Sequence, residues 1–211
     1  MVFKNVMIRL AEESEATEIN DLYKLHFINV EPMQVAYIDR FDGFDEIEFY
    51  VDAIKKETVL VAVDNENEKL AGALVAKKLN STGTSSCTVT GNIKLDDLIN
   101  FITYIDEKSK IFEKFKAESC LQIFTVCVHP DYKKQGIATK LFEACFSLGK
   151  SQLFDLISVD CTSNFTTKIA EKLKMLLISS VTYDEYNRHL GKRLFTPVTP
   201  HTDIKTFAKL L

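Results

Sequence analysis

Apolar positions along this chain follow two rhythms, and the switches between them mark out the elements. Val6 to Leu10 is a short β-rich run. Ile19, Leu22, Tyr23 and Leu25 to Phe27 then recur at helical spacing, the stripe of a helix capped at Ser14 and ending before Glu31-Pro32. A second helix is expected from about Phe44 to Lys56. Val59 to Val63 and Leu70 to Lys77 are β-rich runs joined by the polar stretch DNENEK, the pattern of an antiparallel hairpin. Asn80 to Gly91 is rich in Ser and Thr and reads as a surface loop or a frayed strand extension. Leu95 to Phe115 fits one long helix or two short ones.

The second half repeats the alternation of strand and helix. Ile123 to Val128 reads as a buried strand, Pro130 opens a turn, and a helix starts at Gly136. Leu156 to Cys161 is the next strand and Thr166 to Lys174 the next helix. Leu177 to Tyr186 and Arg193 to Pro197 read as closing β-runs. A strand meander followed by strand-helix-strand crossovers predicts an α/β, or mixed α+β, domain with a mixed sheet. No repeat or low-complexity linker interrupts the 211 residues, so one domain over 1–211 is expected.

Composition narrows the partners. Hydrophobic residues at 46% and charged residues at 27% are those of an ordinary globular domain. A formal net charge of −4 gives no basic surface for nucleic acid or an anionic membrane. The amino-terminal MVFKNVMIRLAEESEA lacks the apolar core of a secretory signal, and no run is long enough to span a bilayer. Five cysteines without a C-x-x-C pair suggest reduced, packed thiols and a cytoplasmic protein. No coiled-coil pattern is present, and a monomer is expected. No H-E-x-x-H or Cys/His cluster appears, so no metal is expected.

The chemistry gathers at Lys133-Lys134-Gln135-Gly136-Ile137-Ala138. A loop entering a helix leaves backbone N–H groups unpaired at the positive end of the helix dipole, where a phosphate binds. Gly136 permits close backbone approach, Ala138 keeps the next turn small, and the two lysines add charge. The order resembles the Q/R-x-x-G-x-G/A signature of the GCN5-related N-acetyltransferases, the GNAT superfamily, which grips the pyrophosphate of acetyl-CoA. Two further segments carry the resemblance over nearly the whole chain: LHFINVEPMQ, and VDCTSNFTTKIAEKLKM followed by LFTPVTPHTDIKTFAKLL. Together they narrow it toward insect arylalkylamine, agmatine and polyamine N-acetyltransferases.

That resemblance implies the GNAT fold, a mixed, mostly antiparallel twisted sheet flanked by helices, and acetyl-CoA as acyl donor to a small amine. It implies that the backbone of Val126, Cys127 and Val128 meets the pantetheine arm, and that Gln135, Gly136, Ile137, Ala138 and Thr139 take the pyrophosphate. Lys133 stands where the family most often has Arg or Gln, supplying charge without a bidentate fork. Glu31 of the Glu31-Pro32 pair inherits the role of general base, since an ammonium must lose a proton before its nitrogen attacks a thioester. An equally simple reading leaves Glu31 as a carboxylate that binds the cationic amine.

The Tyr that many relatives use as general acid falls at Ala170, with Ser163 at an Asn position and Lys174 at a Gly position. Ser163 and Thr166, with Thr162, match hydroxyl residues of the insect enzymes, although Ser163 or Asn164 also suits a helix cap. His201 matches a histidine near the substrate pocket. Phe27, Met33, Tyr37 and Phe165 are candidates for an apolar amine pocket or for ordinary core. Two alternatives stay open: an acyl-CoA-binding protein with weak or no turnover, and an acetyltransferase of protein amino-termini or lysines.

Overall fold

The computed structural model describes residues 5–38, 47–82 and 92–211. Through these residues runs a seven-stranded sheet in the order β1-β2-β3-β4-β5-β7-β6. Its strands are β1 (Val6–Leu10), β2 (Thr58–Asp64), β3 (Leu70–Asn80), β4 (Ser119–Val128), β5 (Leu156–Cys161), β6 (Leu176–Thr182) and β7 (Asp203–Leu210). Every pairing is antiparallel except β4 with β5. The protein is therefore a mixed α/β fold with a mostly antiparallel sheet flanked by helices.

Burial on both faces explains why β2 and β3 read as nearly continuous apolar runs. Leu60, Ala62, Leu74 and Ala76 pack with Leu141, Phe142 and Cys145 of α6 (Ile137–Ser151) on one face. Val59, Val61, Ala73 and Val75 pack with Ile19, Leu22 and Tyr23 of α1 (Ala16–His26) on the other, beside Ala53 of α3 (Ile47–Lys56). The second face continues under α4 (Ile93–Ser109), whose Leu98, Phe101 and Ile105 meet Phe195 and Ile204. A short α2 (Pro32–Ala36) precedes α3, and α5 (Ile111–Phe115) follows α4. No helix among the described residues is long and apolar enough to cross a membrane.

Several expectations are corrected. Ser14 lies within a 3-10 turn, Glu13–Glu15, and the cap is a reciprocal pair of Glu12 and Glu15. The carboxylate of Glu15 is held by Arg9 at 2.7 Å, which fixes this entry to α1. The expected helix from Phe44 begins, among the described residues, at Ile47, and most of the Asn80–Gly91 stretch lies outside them. Tyr183–Leu190 is a helix, α8, not the end of a strand. Thr182 caps it by accepting from the Glu185 N–H at 3.0 Å, and Gly191 closes it in the left-handed conformation. Arg193–Pro197 forms only a single bridge, Phe195 with Tyr37, and the closing strand is β7.

Candidate active site

Strands β4 and β5 pair only from Cys120 with Leu156 to Ile123 with Val159. Immediately beyond, the β3–β4 register shifts, Val75 facing Thr125 while Ala76 faces Ile123, so Phe124 is an extra residue on β4. Such a bulge bends its strand, and β4 leaves β5 at that point. The His129 N–H bonds Ala71 O at 2.9 Å. By antiparallel alternation Cys127 also faces β3, and Val126 and Val128 turn their N–H and C=O groups toward the gap.

A cleft of about 630 Å³ fills that gap. It is floored by Ile123 to Val128 and bounded by Lys133, Lys134 and Gly136 to Thr139 at one end. Gly136 has φ 76°, no side-chain cap stands at this helix start, and a Cβ there meets nothing within 4 Å. The conformation alone thus favours glycine. The N–H groups of Ile137, Ala138 and Thr139 are left facing the cleft. Tyr132 anchors the loop, its hydroxyl donating to buried Asp64 at 2.7 Å. Gly72 lets β3 approach closely, because a Cβ there falls 2.8 Å from Cys127 O. Unpaired amides, two lysines and an elongated slot fit a pyrophosphate on a narrow arm. Gln135 stands apart from the cleft wall, its amide donating to Asp131 O at 3.4 Å.

Glu31 closes the other end. It is 6% exposed and caps α2, Oε2 accepting from the Gln34 N–H at 2.8 Å. Among the described residues neither Oε1, which is buried, nor the buried Gln34 amide oxygen has a hydrogen-bond partner. Burial pushes the Glu31 carboxyl above its ordinary range, against the opposing pull of the Gln34 N–H, the Thr162 hydroxyl and the Met33 N–H. A carboxylate so placed is a stronger base than one in water. The buried Tyr183 hydroxyl, also without a hydrogen-bond partner among the described residues, is pushed up by burial and then by the Glu31 charge.

A second cavity of about 450 Å³ adjoins the first, sharing Phe27, Glu31, Ile123 to Thr125, Asp160 and Thr162 with it. Its remaining walls are chiefly aliphatic, with Leu95, Leu98, Ile99, Ile102 and Ile105 from α4. Met33 lines it and Phe27 lines both cavities, whereas Pro32 and Phe165 lie on the cleft wall alone. Tyr37 is core, its hydroxyl held by Asp97 at 2.7 Å. Lys77, Gln122 and Asp160 also line the second cavity and escape the sequence reading. The available signal was a polar residue inside a strand run that is otherwise apolar.

Ser163, Thr166 and His201 line the cleft at the start of α7 (Asn164–Lys172). Ser163 Oγ accepts from the Thr166 N–H at 3.2 Å and lies 3.0 Å from its hydroxyl. His201 Nδ1 accepts from the Asn164 N–H at 3.2 Å. All three therefore serve the helix terminus, whatever else they do. Ser163→Ala is expected to cost about 1 kcal/mol from the lost cap, read as a fall of about 2–4 °C in Tm. A loss in kcat of more than tenfold in the same folded variant assigns the hydroxyl a part in the chemistry as well. Ala170 is fully buried in the core, and Lys174 has φ 56°, the conformation that explains a usual glycine there. Cys127 is 4% exposed and its thiol is pushed up to about 12 by burial, so it is not poised as a nucleophile.

Known structures share this fold. A mosquito arylalkylamine N-acetyltransferase, like 5b, superposes with a TM-score of 0.90 at 24% identity, over 98% of this chain and 100% of that one. A Drosophila melanogaster polyamine N-acetyltransferase that forms N-acetylagmatine gives 0.87 at 20%, over 98% and 100%. Arabidopsis thaliana NAA60 in complex with acetyl-CoA gives 0.61 at 15%, over 98% and 99%. The sequence profile described as the acetyltransferase (GNAT) family matches residues 18–170. That match takes in most of α1, the Glu31 turn, the loop before α6 and most of α7, and it makes this chain a member of the GNAT family of acetyltransferases.

Proposed function

We propose that this protein transfers the acetyl group of acetyl-CoA to the primary amine of a small molecule, in the arylalkylamine, agmatine and polyamine range, by direct attack with Glu31 as general base. The carrying observation is the buried Glu31 Oε1, without a hydrogen-bond partner among the described residues, on the wall common to the two cavities. An ammonium entering from the aliphatic cavity supplies the donors that Glu31 Oε1 and the Gln34 amide oxygen lack. The raised affinity of Glu31 for a proton then favours taking one from that ammonium.

The freed nitrogen attacks a thioester carbonyl held against β4. The Val128 N–H, turned into the gap by strand alternation, is a donor for the developing oxyanion. The departing thiolate lies on the side of Ser163, Thr166 and His201. Lys133, Lys134 and the first amides of α6 hold the pyrophosphate. High thiol affinity for its proton at Cys127 favours this direct route over a covalent acyl-enzyme.

The test is thiol release from acetyl-CoA, screened against agmatine, putrescine, tyramine, dopamine, serotonin and a peptide amino-terminus. Release that requires a small amine, with the acetylated amine found as product, is expected. Tight acetyl-CoA binding with no transfer to any acceptor, or transfer only to the peptide, overturns the reading.

A further inference from the structure

Three polar residues that line the second cavity, Lys77, Gln122 and Asp160, belong to a row crossing four strands. Lys77 on β3 faces Gln122 on β4, Gln122 faces Ser158 on β5, and Asp160, two residues on, faces Thr206 on β7. Within this row Asp160 Oδ1 accepts from the Thr206 hydroxyl at 2.6 Å, and Oδ2 from the Gln122 amide at 3.2 Å. Both donors are neutral, and no ion pair reaches Asp160 among the described residues. Lys77 does not fill that gap. Its Nζ lies 3.5 Å from the centroid of the Phe124 ring, and its field falls on Glu57 and Asp106. Asp106, on α4 above the row, is raised to about 7 by burial and then by the charge of Asp160. Among the described residues the row thus sets two carboxyls, Asp160 and Asp106, beside Lys77, and burial holds the Asp160 carboxyl too above its ordinary range, against the pull of the Thr206 hydroxyl.

Glu31 provides the independent sign that a ligand belongs here. It is 6% exposed, its Oε1 has no hydrogen-bond partner among the described residues, and it lines the same cavity as Asp160. Thr162, whose hydroxyl bears on Glu31, follows Asp160 by two residues, and both line the cavity. A two-residue strand step is about 6.6 Å. The cavity therefore presents two carboxyls from different elements, Glu31 at the start of α2 and Asp160 on β5, with aliphatic side chains of α4 on its remaining wall.

We propose that Asp160 is a specificity-determining residue that binds a second cationic group of the acceptor, selecting short two-ended amines in which a methylene spacer separates the acetylated nitrogen from a distal ammonium or guanidinium. This deepens the small-amine reading and rests on it for the position of the reacting nitrogen. The spacer packs on Leu98, Ile102 and Ile105, while the distal cation meets Asp160 and relieves the mutual repulsion of Asp160 and Asp106.

The experiment compares putrescine and agmatine with butylamine and phenethylamine, for the full-length protein and for Asp160→Asn. The full-length protein should favour putrescine over butylamine by at least tenfold in kcat/KM. Asp160→Asn should lose about 10- to 100-fold more on putrescine than on butylamine, as removing a charged partner in an enclosed site implies. A loss of fold alone lowers both acceptors together, so the ratio separates specificity from stability. Equal loss on both acceptors, or a full-length protein that prefers butylamine or phenethylamine, overturns the proposal while leaving small-amine acetylation intact. If no amine is acetylated, calorimetry of putrescine with the CoA-loaded protein decides. Binding that Asp160→Asn abolishes supports the second site without the reaction, and absence of binding overturns it.

Discussion

Glu31→Gln is expected to lower kcat/KM for the amine by about 10²- to 10⁴-fold, the range of a positioned general base. Gln is the informative substitution, because its amide oxygen can still accept from the Gln34 N–H and keep the cap on α2. Ala removes cap and base together, adding about 0.5–2 kcal/mol of instability. The pH profile distinguishes base from mere counter-ion. Burial raises the Glu31 carboxyl, so activity should fall on the acid side through a value above the ordinary carboxylate range, and that limb should vanish in Glu31→Gln. An unchanged limb with an unchanged rate removes Glu31 from the mechanism.

Stability should move the other way. An acid whose proton is held more tightly in the folded than in the unfolded state stabilises the fold most below its unfolded value. That contribution is lost as pH rises through the folded one. Glu31→Gln should therefore melt no lower than the parent at pH 8, and its advantage should shrink toward pH 4. A variant that is less active but no less stable is the mark of a site held at some cost to the fold.

The second large effect is expected at Gly136. Gly136→Asp should weaken acetyl-CoA binding by at least 100-fold while leaving the protein folded. Aspartate tolerates a positive φ better than most residues, and a Cβ at this position meets nothing within 4 Å. The new carboxylate sits at the positive end of α6 and repels the pyrophosphate from the amides of Ile137, Ala138 and Thr139. Gly136→Asn carries the same shape without charge and should retain most of the affinity. Isothermal titration with CoA and a thermal melt of each variant make the check. Equal losses for Asp and Asn point to backbone strain, and no loss for either places the phosphate elsewhere.

Much of the site was legible because its signals are local. Gly136 between a basic loop and an apolar helix has one backbone conformation to serve, and the left-handed angle follows from the residue type. Glu31-Pro32 similarly announces a helix start, Pro at the first helical position and the carboxylate as cap. The end of β6 was misread for a related reason. Val181, Tyr183 and Tyr186 are β-formers, yet Thr182 with Glu185 three residues on is the sequence mark of a capped helix, and it prevails over propensity. Ser14 failed in the opposite sense, as Glu12 and Glu15 with Arg9 made a better entry to α1.

The sequence by itself determined most of the strands and helices as far as α7, the glycine start of α6 and the carboxylate cap of α2. Each depends on periodicity, capping or backbone angle within a few residues. Only the tertiary structure decided that Phe124 bulges and opens β4 from β5, that Val126 and Val128 face the gap, and that Lys77, Gln122, Asp160 and Thr206 form one row beneath α4. Those facts depend on strand register. A shift of one residue turns every side chain of a strand to the opposite face, and register is set by pairing between segments far apart in the chain.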